Sequence, residues 1–168
     1  MIPLARNFVR CVDAANLRLG RIVMYGIFVM IAILLWSSIS KTFFLPSLWT
    51  LEMAQFAMVA YYMLGGPYSI QLGSNVRMDL FYGGWSDRRK AWFDAFTVAF
   101  LIFYLAVLLY GGIASTSYAI EYGERSYSAW RPYMWPIKIL MCAGILLMIF
   151  QALSEFLKDI ARLRGEEI

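Results

Sequence analysis

Histidine is absent from all 168 residues, and cysteine occurs only twice, as Cys11 and Cys142. The first absence removes the commonest haem ligand and weakens any catalytic scheme built on a histidine base. The cysteines lie before the first apolar stretch and inside the last, with no Cys-x-x-Cys, so neither a structural disulfide nor a thiol redox site is expected. There is no glycine-rich phosphate loop, no cluster of metal ligands and no nucleophile with a nearby base. Charge is missing too from the middle of every apolar stretch: Glu52, Asp94, Lys138 and Glu155 all fall near the ends. Small proton-coupled carriers need an ionisable group deep in the membrane. The chain is therefore not expected to carry ions or substrates alone, to catalyse a reaction, or to hold a cofactor or metal.

What is abundant is apolar surface. Hydrophobic residues make up 61% of the chain, against about 45–50% in soluble domains. Four long apolar stretches, 22–39, 53–72, 96–118 and 137–157, approach or exceed the ~18–20 residues that cross a bilayer core as a helix. The expected fold is an all-α integral membrane protein forming one domain over 1–168. Its four transmembrane helices are expected over about 22–40, 50–72, 93–118 and 134–157. The first stretch is longer than the apolar region of a signal peptide and ends without a small-x-small cleavage site, so it reads as a retained helix.

The net charge of +4 is explained by topology rather than by nucleic acid. Arg6, Arg10, Arg18 and Arg21 precede the first span. Arg77, Arg88, Arg89 and Lys90 separate the second from the third, and Lys158, Arg162 and Arg164 follow the fourth. The other side has only Lys41, Arg125, Arg131 and Lys138. The positive-inside rule then puts both termini in the cytoplasm. Residues 3–19 carry Leu4, Phe8, Cys11, Val12, Ala15 and Leu19 at helical spacing, which predicts an amphipathic helix lying on the cytoplasmic leaflet among membrane lipids.

The second stretch has an internal pattern. Glu52, Gln55, Val59, Tyr62, Gly66, Ser69 and Gly73 recur at steps of three and four, forming one polar and small stripe. Small residues let helices approach and polar ones bond across the contact, so this stripe is expected to face protein, within the chain or beyond it. Ser47 or Thr50 can cap the helix, and Gly65-Gly66-Pro67 is expected to kink it. A similar stripe, Asp94, Thr97, Leu101, Tyr104, Leu108, Gly111, Ser115 and Tyr118, marks the third stretch and predicts packing inside the bundle. The loop over 120–135 is rich in aromatic residues and suits the membrane interface.

Taken in order, Trp49-Thr50-Leu51-Glu52, then Gly65-Gly66, then Gly73-Ser74-Asn75-Val76-Arg77-Met78-Asp79, resemble the signature of the small membrane subunit of tripartite ATP-independent periplasmic (TRAP) transporters. The series Ser126, Pro132 and Pro136 before the last helix resembles that family as well, although Asn75 stands where members often have histidine. The resemblance implies a subunit of a secondary, sodium-gradient-driven transporter for organic acid uptake, multi-pass in a bacterial cytoplasmic (inner) membrane. Its implied partners are a large transmembrane subunit, which it braces, and a periplasmic substrate-binding protein. Trp49, Glu52, Gln55, Tyr62, Gly66, Ser69, Arg77 and Asp79 are the candidate contacts with the large subunit. Glu121, Glu124, Arg125 and Arg131 are the candidates for receptor docking. The competing readings are a stand-alone small membrane transporter and a four-helix membrane scaffold unrelated to transport.

Overall fold

The computed structural model describes residues 2–73 and 87–164, and through them run five helices: α1 (Ile2–Met24), α2 (Gly26–Phe43), α3 (Thr50–Gln71), α4 (Asp87–Glu121) and α5 (Trp135–Arg164). Four of them cover the four apolar stretches, and α1 covers the expected amphipathic segment and extends beyond it to Met24. Asn75, Arg77 and Asp79 lie outside the described residues. Among the described residues, three helical stretches are long and apolar enough to cross a membrane: Arg6–Phe43, Trp92–Glu121 and Trp135–Ala161. Helix α3 is not among them. At 22 residues it is about 33 Å long, enough to span, but its stripe of polar and small residues lowers its hydropathy.

The join between α1 and α2 is tight. The Tyr25 N–H donates to the Ile22 carbonyl at 3.1 Å, and the Phe28 N–H donates to the Tyr25 carbonyl at 3.1 Å. These are three-residue closures, so the two helices meet with one tightened turn rather than a loop.

α5 is the centre of the bundle. It packs against α4, α3 and α1, and α3 also packs against α1 and α2, whereas α3 and α4 share no extensive contact. Leu105, Ile145 and Ala152 form the buried apolar core, joined by Met63, Leu101, Ile102 and Met148 among others. The α3–α5 crossing is close because residue 144 is glycine. A Cβ there would lie 2.8 Å from the Met63 carbonyl oxygen, which is backbone and cannot turn aside. α3 remains helical through Pro67, which is fully buried.

The capping expectation is corrected. Trp49 occupies the N-cap of α3 without a side-chain cap bond. The Ser47 and Thr50 hydroxyls are used elsewhere. Ser40, Ser47, Thr50 and Ser37 are linked hydroxyl to hydroxyl at 3.0, 3.0 and 3.1 Å, tying the end of α2 to the start of α3.

Candidate subunit interface

Buried polar groups gather at the two ends of the bundle, and an open groove lies between them. At the end where α2 gives way to α3, Glu52 is only 8% exposed. The Ser126 hydroxyl donates to its Oε1 at 2.8 Å, and its Oε2 has no hydrogen-bond partner among the described residues. Ser126 belongs to a hairpin-like loop between α4 and α5. Its N–H donates to the Pro132 carbonyl at 2.9 Å, and the Met134 N–H donates to the Glu124 carbonyl at 3.0 Å. Within it the Arg125 guanidinium sits 4.1 Å from the centre of the Tyr133 ring and donates to its hydroxyl. Lys138 of α5 pairs with Glu124.

Two of the four expected docking residues therefore make bonds that shape the loop. Glu121 and Arg131 are exposed, and Arg131 holds a left-handed backbone with φ 50°. The most exposed aromatic side chain on the loop is Tyr127, which the charge-based reading passed over.

At the opposite end, α1 is held to α5 by a network that the sequence reading missed. Asp13 Oδ1 accepts from Gln151 Nε2 and from the Ser154 hydroxyl, both at 3.0 Å. Its Oδ2 lies 2.7 Å from Lys158 Nζ, which also reaches Glu155 at 2.8 Å. Asn16 Nδ2 donates to Gln151 Oε1 at 2.7 Å. Asn16, Gln151 and Ser154 are completely buried. A signal was present: Gln151 and Ser154 interrupt the apolar run of the last helix, and Asp13 and Asn16 lie off the apolar stripe of the first. The face of α1 that packs on the bundle is centred on Val9, Asn16 and Gly20, leaving Cys11 and Ala15 exposed.

The residues of the α3 stripe separate. Glu52 turns under the loop. Gly66 faces α5, where an added Cβ would lie 2.7 Å from Met148 Sδ. Trp49, Gln55 and Tyr62 are exposed. Tyr62, Gly66 and Ser69 share a groove of about 640 Å³ with Tyr104 and Leu108 of α4, and Met148 of α5 contributes to its lining. Parts of the two stripes thus flank one groove, and the expectation that the second stripe packs inside the bundle is corrected: Thr97, Tyr104, Leu108, Gly111 and Tyr118 are exposed.

No group of acidic residues and cysteines suited to a metal occurs among the described residues. The arrangement offers hydrogen bonds and an open groove as means of contact. A family model described as Tripartite ATP-independent periplasmic transporters, DctQ component, matches residues 20–162. Neither the curated proteins nor the solved structures contain a match.

Proposed function

The chain belongs to the DctQ component family of tripartite ATP-independent periplasmic transporters, the small membrane subunits of these systems, and on that premise we propose that it is the static brace of a sodium-gradient-driven importer of organic acids. A large membrane subunit carries substrate and coupling ion, and a soluble periplasmic receptor delivers the substrate. In this reading α3 is the fourth span, enclosed by α1, α2 and α5 and so less dependent on its own hydropathy. Both termini are cytoplasmic in a bacterial inner membrane, and α1 lies along the inner leaflet with Cys11 and Ala15 toward lipid.

What carries the reading is where the polar groups lie. The apolar middle of each span holds no acid or base, and the buried polar clusters tie helix to helix at the two ends. A carrier needs ionisable groups along its path, whereas a brace needs rigid helix ends and a free flank. Trp49, Gln55, Tyr62, Gly66 and Ser69 on α3, with Arg77 and Asp79 beyond it, form the contact with the large subunit. Tyr127, Arg131 and Glu121 present the receptor-facing surface, while Glu124 and Arg125 hold the loop in shape.

Gentle extraction from the native membrane tests the proposal. A large multi-span protein should co-purify with this chain, and proteoliposomes should take up organic acid only when both are present with the receptor. Uptake by this chain alone would overturn the brace in favour of a stand-alone transporter.

A further inference from the structure

The groove between α3 and α4 has a property that lipid does not explain. Tyr62 and Tyr104 stand on its two walls, each near the middle of its helix. They are 59% and 60% exposed. Neither phenol hydroxyl has a hydrogen-bond partner among the described residues, and the exposed Gln55 amide on the same flank of α3 has none either. In hydrocarbon an unpaired hydroxyl or amide is costly, because acyl chains offer no hydrogen bond and water does not reach mid-depth. The open flank of α2 is different in kind, with Phe28, Val29, Ile31, Leu34 and Leu35 exposed. That flank suits lipid.

The groove also lets a backbone come close. A Cβ on Gly65, which lines it, would meet nothing nearer than 4.0 Å. An open glycine beside unpaired polar groups is the combination that holds membrane helices together.

We propose that this groove seats one transmembrane helix of the large subunit, and that this helix presents a hydrogen-bonding side chain of the serine, threonine, asparagine or glutamine type to Tyr62 and Tyr104 at mid-depth. The proposal rests on the brace reading and narrows it. The two groove walls, rather than the α2 flank or the terminal polar clusters, are the contact, and the chemistry of the partner's residue is specified.

The test uses the complex as extracted from its native membrane. A photo-crosslinking amino acid is placed at position 62, 104 or, on the α2 flank, 34. Irradiation should join the two subunits from 62 and 104 and not from 34. Crosslinks from 34 alone, with the complex intact, would overturn the groove while leaving the brace reading in place. Lipid adducts from 62 and 104 in an intact complex would overturn it in favour of a bound acyl chain. If no large subunit accompanies the chain and no position crosslinks to protein, both readings fail together.

A second measurement isolates the hydrogen bond. Tyr62→Phe with Tyr104→Phe removes two hydroxyls and little volume. Recovery of the large subunit under dilute detergent should fall about fivefold, the scale of one interhelical hydrogen bond. Undiminished recovery would overturn the hydrogen-bonded seat.

Discussion

Glycine at 144 and glycine at 66 have different roles, although the sequence presents both as small residues in apolar helices. At Gly144 an added methyl would run into the Met63 carbonyl oxygen, and only movement of a whole helix could relieve the clash. At Gly66 it would meet the Met148 thioether, the end of a flexible side chain that can choose another rotamer. Gly144→Ala should therefore cost about 1–3 kcal/mol by overpacking, and Gly66→Ala clearly less. Thermal unfolding in one detergent checks the order, and equal melting temperatures for the two variants would contradict the close α3–α5 crossing. The stripe pattern on α3 drew attention to Gly66 and not to Gly144, because a close approach depends on which neighbour arrives at a position. That neighbour lies far away in sequence.

Among the helices, α1 is the one whose attachment composition predicts least well. Its apolar stripe suggested a helix held by lipid, yet the face it turns to the bundle carries Asp13 and Asn16, which bond to Gln151, Ser154 and Lys158. Asp13→Ala would leave the buried Ser154 hydroxyl without its acceptor, at about 1–3 kcal/mol for the group left unsatisfied, and would leave Gln151 Nε2 with Glu155 as its remaining acceptor. Amide exchange in α1 should then rise strongly, with α4 and the middle of α5 unchanged. Asp13→Asn keeps an acceptor oxygen and loses the ion pair, so its exchange should fall between the two. If α1 exchanges equally in all three proteins, lipid and not the network holds it. The ion pair with Lys158 is mostly buried, with side-chain exposures of 22% and 23%. It adds to the hydrogen bonds that Asp13 accepts from the fully buried Gln151 and Ser154.

At the scale of the whole molecule, the orientation expected from the asymmetry of Lys and Arg can be tested directly. On a Cys11→Ser background, a Tyr127→Cys variant should react with a membrane-impermeant thiol reagent added to intact cells after outer-membrane permeabilisation. An Arg18→Cys variant on the same background, exposed on α1 and off its apolar stripe, should react only once the inner membrane is opened. The reverse pattern would invert the topology. The helical class, the positions of the apolar helices and the family were legible in the sequence, because bilayer thickness, helix rise and the asymmetry of Lys and Arg act on local runs of residues. The notable polar residues were legible too, as stripes. Their partners were not: that Glu52 meets Ser126, that Asp13 meets Ser154, and that Tyr62 and Tyr104 face one open groove instead of each other. A stripe fixes the side of a helix on which a residue lies, but the rotation of each helix about its own axis is set by packing against its neighbours. In this chain both α3 and α4 turn toward α5, and that shared choice leaves the groove open.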